Sequence, residues 1–267
     1  MNIFGKDKKL YWIMGICSLF AFMYWGYLQI IPAKDTLLNY YFNVIVAFFY
    51  LAGGIISYFL YRKTDNSTLK SIFLLFGLSL FSYSIGSFIW SYYNIVSKTE
   101  IPFPSLADVF YLLYPVFIGA GFWYILDLFN FKPSKTNIKL SLVIVLLVFF
   151  VVFFIFNKQT LDTDQPLIAT LLNLLYPLSD SFLIALGIIA FTAVGQISYG
   201  MFSTITALFF MVAGDITFTY RQTNGIYWNG DISDLFFLIS AVFIVIGVYR
   251  LYLKTKNDTP NQINNKK

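Results

Sequence analysis

Long apolar stretches constrain this chain more than any other feature of its sequence. Eight segments of mostly apolar residues follow one another, and each has the length of about 20 residues that an α-helix needs to cross a bilayer. Only 12% of the 267 residues are charged, whereas a soluble domain has roughly a quarter. The sequence therefore predicts a single all-α integral membrane domain over residues 1–253. Its eight transmembrane helices are expected at approximately 10–32, 37–61, 70–96, 106–130, 138–157, 166–194, 199–220 and 232–253.

Two of these helices have contrasting compositions. The fifth contains no polar residue between Leu142 and Phe156, so we expect it to face lipid on most sides. The third carries five serines and two glycines over residues 77–91, and small residues at that density favour packing against other helices. The sequence therefore predicts one helix that is largely exposed to lipid and one that is buried.

Basic residues indicate how the helices are oriented. Fourteen of the 18 lysines and arginines lie before the first helix, after the last helix, or in the loops after helices two and four. Because basic loops stay on the cytoplasmic side, this asymmetry predicts a multi-pass protein of the cell membrane with both termini in the cytoplasm. The polar composition of residues 254–267 predicts a disordered cytoplasmic tail.

Two parts of the chain resemble each other. Helix four begins with ADVFYL and helix eight with SDLFFL, and further identities continue to a glycine in each helix. A duplication of helices 1–4 as helices 5–8 would give two halves of the same orientation, related by an axis along the membrane normal. Chance similarity between apolar sequences is the alternative. The matching segments are 107–121 with 233–247, and 36–39 with 170–173.

Four aspartates are placed where they could serve a ligand site. Asp108 and Asp234 lie in the first turn of a predicted helix, where a carboxylate is favoured by the helix dipole and can cap free N–H groups. Capping alone would explain both of them. Asp180 and Asp215 lie within predicted spans, where an ionisable group is costly and usually faces a cavity or a partner. A hydrogen bond between helices is the alternative explanation for Asp180.

Aromatic residues are concentrated in the outer half of the predicted membrane domain. Most of them are expected to form an interfacial belt. Aromatic rings beside several carboxylates can also enclose a cation. We therefore predict an outward-facing acidic and aromatic pocket, lined by Asp108, Asp180, Asp215 and Asp234, that receives a small cationic or polar ligand.

The composition excludes several kinds of chemistry. The chain has no histidine, which removes histidine-ligated haem, histidine metal sites and histidine general bases. It contains one cysteine, Cys17, which cannot form an internal disulfide. No phosphate-binding loop, zinc-ligand cluster, serine nucleophile motif or EF-hand is present. We expect no cofactor and no metal, and no nucleic-acid partner because the basic residues lie in short loops between spans.

Residues 101–115 have the sequence IPFPSLADVFYLLYP. This motif resembles the Pro-x-Pro-Ser-x-Ala-Asp signature of the amino-terminal membrane sensor domains of bacterial and archaeal diguanylate cyclases, phosphodiesterases and histidine kinases. The segments around Asp180, Asp215 and Asp234 are similar to later spans of that family. The resemblance implies a sensor or ligand-binding module. The expected ligand-binding residues are Ser105, Asp108, Tyr114, Asp180, Asp215 and Asp234.

A signalling role for this chain would need a separate cytoplasmic partner, because no kinase or cyclase output domain is expected after the last span. Two alternatives remain open. The Ser-Asp and Gly-Asp motifs resemble those of the lysoplasmalogenase family, which implies a membrane hydrolase with Asp180 and Asp215 as its catalytic pair. Duplicated halves with carboxylates inside the membrane would also suit a small cation- or proton-coupled transporter. A non-enzymatic binding module is the preferred interpretation.

Overall fold

The structure is a computed structural model that describes residues 8–99, 103–128, 130–156, 166–194 and 199–262. This part of the chain is all-helical, without strands, and its eight α-helices are each long and apolar enough to cross a membrane. The sequence thus correctly predicts an all-helical architecture with eight long apolar helices. The helices are α1 (Lys8–Ile30), α2 (Leu37–Lys63), α3 (Ser67–Tyr92), α4 (Leu106–Leu128), α5 (Lys135–Phe156), α6 (Leu167–Val194), α7 (Tyr199–Thr223) and α8 (Ile232–Gln262).

Helix boundaries differ most from the expectation at the end of α8. This helix continues to Gln262, into the stretch for which the polar composition predicts a disordered tail. Each residue added to an existing helix gains a backbone hydrogen bond, so a helix can extend past its apolar segment. Residues 263–267 lie outside the described part of the chain. A π-helical turn, Tyr93–Ser97, follows α3 directly.

Six of the helices form a closed ring. Going around it, α2 packs on α3, α3 on α4, α4 on α6, α6 on α7, α7 on α8, and α8 back on α2. The two remaining helices pack outside this ring, α1 against α2 and α8, and α5 against α6. Both outer helices therefore leave much of their surface to the surroundings of the protein.

The positions of α3 and α5 agree with their compositions. Most of α5 is exposed, including Leu142, Phe150 and Phe154, as expected for a helix that faces lipid. The five serines of α3 between residues 77 and 91 are buried. Two of them join neighbouring helices, since Ser79 donates to the carbonyl of Tyr114 in α4 and Ser84 donates to the carbonyl of Ala47 in α2. The contrast between an exposed α5 and a buried α3 is confirmed.

Some contacts between ring helices require the absence of a side chain. A Cβ atom at Gly200 of α7 would lie 2.7 Å from the backbone nitrogen of Leu251 in α8 and 3.0 Å from the carbonyl oxygen of Gly247. Glycine allows the two backbones to approach this closely, as small residues commonly do between membrane helices.

Candidate functional site

A cavity of about 90 Å³ lies inside the ring, toward the end that carries the α3–α4 and α7–α8 connections. This volume is sufficient for a few water molecules or one small ligand. Every ring helix contributes to the wall, and Phe103 and Tyr227 contribute from the two connections. The polar side chains in the wall, tyrosines apart, are Asn43, Ser87, Asp108, Asp180, Asp215 and Asp234. The tyrosines are Tyr83, Tyr111, Tyr114, Tyr176 and Tyr227.

All four aspartates singled out in the sequence line this one cavity, although they come from four different helices. Tyr114 lines it as well. Ser105 does not line the cavity, but its backbone N–H and its hydroxyl donate hydrogen bonds to the carboxylate of Asp108. The structure therefore brings the predicted residues together, and their binding of a ligand stays a prediction.

Asp108 holds the start of α4 and also connects α4 to α6. The backbone N–H of Ser105 donates to its Oδ2 at 2.5 Å, and the Ser105 hydroxyl donates to the same oxygen at 3.0 Å. Ser105 in turn accepts a hydrogen bond from the backbone N–H of Ala107, so the two side chains cap the helix reciprocally. The other oxygen, Oδ1, accepts from the hydroxyl of Tyr176 at 2.7 Å. Capping thus accounts for only one oxygen of Asp108.

Asp234 has a similar place at the start of α8. Its Oδ2 accepts from the backbone N–H of Gly230 at 2.6 Å and from the hydroxyl of Tyr227 at 3.2 Å. With its amide nitrogen turned toward Asp234, Asn43 of α2 donates to Oδ2 at 3.1 Å. Burial, followed by the nearby charge of Asp234, raises the pKa of the Tyr227 hydroxyl well above its ordinary value. Tyr227 therefore stays protonated and remains a donor to Asp234.

Asp180 and Asp215 are held differently. Their carboxyl groups lie within hydrogen-bonding reach of each other, although they belong to α6 and α7. In the described part of the chain, no N–H or O–H group of another residue donates to either carboxyl. Asp180 is buried, and Asp215 is partly exposed, toward the cavity. Asp108 and Asp234 thus have hydrogen-bond donors from other residues, whereas Asp180 and Asp215 have none among the described residues.

The Tyr114 hydroxyl is a second unsatisfied group in the wall. Tyr114 is only 2% exposed, and its hydroxyl has no hydrogen-bond partner among the described residues. Its ring lies edge-on to Tyr50 and Tyr83, with ring centroids 6.2 and 5.4 Å away. A buried hydroxyl without a partner is uncommon in proteins, and its place beside a cavity points to a molecule that would occupy this space.

Electrostatically, the wall is one-sided. Among the residues that the structure describes, it contains four carboxyl groups and no lysine or arginine. Within the described ranges, no three acidic or cysteine side chains converge closely enough to hold a metal ion. The arrangement favours an organic cation, which is bound by carboxylates and by the faces of aromatic rings.

Several residues of the site were missed in the sequence. Tyr176 precedes a proline within the same Leu-Leu-Tyr-Pro motif as Tyr114, and this repetition was the available signal. Trp90 and Asn43 had no comparable signal, because their role depends on Asn229 in the α7–α8 connection. The indole N–H of Trp90 donates to Asn229 Oδ1 at 3.0 Å, and Asn43 contacts the same amide.

The fold and the cavity define a class of protein, a helical protein with eight helices long and apolar enough to cross a membrane and a buried acidic cavity in the described part of the chain. No protein-family model matches the chain, and no match was found among the curated proteins or the solved structures. The resemblance of residues 101–115 to membrane sensor domains therefore stays a prediction.

Proposed function

We propose that this protein is a membrane-embedded sensor or binding module for a small organic cation. The observation that carries the proposal is the cavity wall, in which four carboxyl groups face a common space and no described lysine or arginine compensates them. A charge that is removed from water needs a partner of opposite sign, so an acidic cavity of this kind selects a positively charged occupant.

The aromatic part of the wall supports a cation over a neutral polar ligand. Tyr83, Tyr111 and Tyr114 lie next to one another, and Trp90 and Phe218 complete the wall near Tyr227. Rings of this kind attract an ammonium group through their π faces, by about 2 kcal/mol when the site is desolvated. We infer that the cation is small, because the cavity has room for only a few water molecules.

Ligand binding would act through the helices that form the wall. An occupant held by α4, α6, α7 and α8 would change how these helices pack, and the motif at residues 101–115 is similar to that of membrane domains that pass signals on. A separate cytoplasmic signalling partner would receive the change.

We further propose that the protein resides in the cell membrane with both termini in the cytoplasm, because the basic residues are distributed that way. The cavity then lies toward the outer face.

An internal duplication is part of the same proposal, and close contacts at two glycines support it. A Cβ atom at Gly86 of α3 would lie 2.8 Å from the ring of Tyr111 in α4. A Cβ atom at Gly214 of α7 would lie 2.5 Å from the ring of Phe237 in α8. Tyr111 and Phe237 occupy matching positions in the similar segments 107–121 and 233–247.

A second pair of glycine contacts occurs at positions that match between the segments 107–121 and 233–247 in the same way. Gly121 of α4 and Gly247 of α8 also occupy matching positions, and each is packed against the preceding ring helix. Gly121 contacts Phe76 of α3, and Gly247 contacts Thr204 of α7. The separation in sequence from Phe76 to Thr204 is 128 residues, the same as from Gly86 to Gly214. Two apolar sequences that are similar by chance would not be expected to place their glycines in matching contacts with the preceding helix.

The ring itself is consistent with two equivalent halves. The first half closes onto the second through α4 and α6, and the second closes onto the first through α8 and α2. At each junction, a helix of one half donates a hydrogen bond to the aspartate of the other, Tyr176 to Asp108 and Asn43 to Asp234. We therefore place the ligand between the halves, at the centre of the ring.

Native mass spectrometry in mild detergent tests the proposal. We expect wild-type protein to retain a discrete small molecule, or to take up added methylammonium or tetramethylammonium. Asp180→Asn should lose this binding, because its neutral amide no longer compensates a cation. Asp35→Asn is the matched control, since Asp35 is an exposed carboxylate in the α1–α2 connection. A bare protein mass for wild type in the presence of both cations would contradict the proposal.

A hydrolase is the second candidate, because Asp180 and Asp215 contact each other. Two carboxyl groups that share a buried site can divide the acid and base roles of a hydrolytic reaction. Release of a lipid headgroup or aldehyde by wild type, but not by Asp215→Asn, would favour this function. Absence of hydrolysis together with retention of a cation would leave the binding module as the function.

A further inference from the structure

We propose that cation binding displaces a proton shared by Asp180 and Asp215, so that the cavity exchanges one cation for one proton. This inference rests on the proposed function, because it takes the occupant to be a cation. It adds that the release of a proton is coupled to the binding of the cation, which the proposed function by itself does not require.

The first step of the argument is the contact between the two carboxyl groups. Asp180 and Asp215 lie within hydrogen-bonding reach of each other across the α6–α7 interface. An ionised carboxylate only accepts hydrogen bonds, so two carboxyl groups can bond to each other only when at least one of them carries a proton. In the proposed exchange, the pair without a ligand holds one such proton and one negative charge.

The second step is the contrast with the other two aspartates. Asp108 accepts hydrogen bonds from Ser105 and Tyr176, and Asp234 accepts from Gly230 and Tyr227. Donors built into the protein thus occupy oxygens of these two carboxyl groups. The Asp180–Asp215 pair has no such donors in the described ranges, so the repulsion between its two carboxylates is relieved by a proton or a cation that is free to leave.

The groups around the pair do not offer an alternative counter-charge. On the ring helices, the titratable side chains that line the cavity or stand next to the pair are acidic or phenolic. Helix α5, which packs on α6 from outside, has no titratable residue between 142 and 156. The groups concerned are Tyr50 of α2, Tyr83 of α3, Asp108, Tyr111 and Tyr114 of α4, Tyr176 of α6, and Asp234 of α8.

The third step is the unpartnered hydroxyl of Tyr114. It is buried in the wall, and it lies near both carboxyl groups of the pair. A hydroxyl can accept a hydrogen bond from an ammonium group or donate one to a freshly ionised carboxylate. Tyr114 thus supplies the partner that the pair would need after its proton has left.

The exchange balances in atoms and charge. Before binding, the pair consists of two carboxylates and one proton and carries one negative charge. A cation that approaches the facing oxygens takes the place of the shared hydrogen, and the proton leaves to water. The pair then consists of two carboxylates and one cation, again with one negative charge. No bond other than the O–H bond breaks, and the buried site keeps its charge.

Calorimetry of the purified protein in detergent tests this exchange. Binding of methylammonium and of tetramethylammonium is measured in two buffers with different protonation enthalpies, and the difference in heat counts the released protons. We expect about one proton per bound cation. The dissociation constant should fall about tenfold for each unit of rising pH, because protons compete with the cation at low pH. Asp35→Asn should give the same proton count.

An infrared measurement gives an independent readout that does not depend on a titration. Protein without added cation should show the carbonyl stretch of a protonated carboxylic acid. Addition of tetramethylammonium should remove this band, and the double variant Asp180→Asn with Asp215→Asn should lack it, provided that its gel-filtration profile matches wild type.

Two results would overturn the inference, and they are distinguishable. Cation binding with equal heats in both buffers would show binding without proton release, which overturns the exchange and leaves the proposed function standing. Absence of binding by either cation would overturn both.

Discussion

Asp231 and Arg221 form an ion pair in the stretch where the chain turns from α7 into α8. Asp231 is 1% exposed and Arg221 is 26% exposed, and the guanidinium Nε lies 2.5 Å from Asp231 Oδ2. The other carboxylate oxygen accepts from the backbone N–H of Ser233 at 2.8 Å, so Asp231 also caps α8. The pair thereby fixes the start of the helix that carries Asp234.

Removal of the arginine should be costly for this reason. We expect Arg221→Ala to lower the free energy of unfolding by about 3 kcal/mol, because it leaves a buried carboxylate without its counter-charge. Thermal unfolding in detergent measures the change. Arg62→Ala, at an exposed arginine near the end of α2, is the control and should change stability little. Equal effects of the two substitutions would show that the ion pair contributes nothing.

Tyr114 and Tyr176 form a matched pair for a second experiment at the residue scale. Both precede a proline in the same motif and line the same cavity. Tyr176→Phe removes the donor to Asp108 Oδ1 and should cost about 1–2 kcal/mol of stability, because a buried acceptor loses its partner. Tyr114→Phe removes a hydroxyl without a partner and should be neutral or stabilising, while it weakens cation binding. A larger loss of stability for Tyr114→Phe in the same unfolding assay would contradict this assignment.

The sequence predicted the site residues unevenly, for physical reasons. Asp180 and Asp215 could be recognised because a carboxyl group within an apolar segment is costly and so needs an explanation. Tyr176 and Asn43 could not, because tyrosine and asparagine are tolerated at many places in membrane helices. Their role comes from their distance to Asp108 and Asp234, which only the folded chain determines.

Among the helices, α7 and α8 make the contact that is most sensitive to added volume. We expect Gly200→Ala to force α7 away from α8 and to cost about 2 kcal/mol, because the new methyl group meets backbone atoms that cannot move aside. Gly15→Ala is the matched control, since a Cβ atom at Gly15 of α1 meets no atom within 4 Å. The melting temperatures of both variants in detergent provide the measurement, and a fall for Gly15→Ala alone would refute the contact.

Helix positions were the most predictable feature of the fold. The apolar length of each span locates a helix to within a few residues, because the bilayer requires about 20 of them. The end of α8 was less predictable, since beyond Leu251 no apolar segment marks where the helix should stop. Helix neighbours could not be derived either, as the α4–α6 and α2–α8 contacts join elements that are distant in sequence.

For the whole molecule, the orientation across the membrane is the property to test. Thr99 and Asp65 are exposed residues at opposite ends of α3. In a Cys17→Ser background, Thr99→Cys should react with a membrane-impermeant maleimide in intact cells, whereas Asp65→Cys should react only after permeabilisation. This result is expected because the loop at Asp65 is basic, and basic loops favour the cytoplasmic side of a membrane. The reverse labelling pattern would place the cavity toward the cytoplasm.

The two reciprocal bonds at the junctions of the ring have a consequence for how this protein is made. Synthesis proceeds from the amino terminus, so the residues of α1–α4 are complete before Tyr176 and Asp234 have been translated. During this interval Asp108 lacks its donor from α6, and Asn43 lacks its acceptor on α8. The nascent first half therefore leaves one polar group at each junction of the ring without its partner. Translation of α6 supplies the first bond and translation of α8 the second, so a chain that stops between them can close only one of the two junctions of the ring.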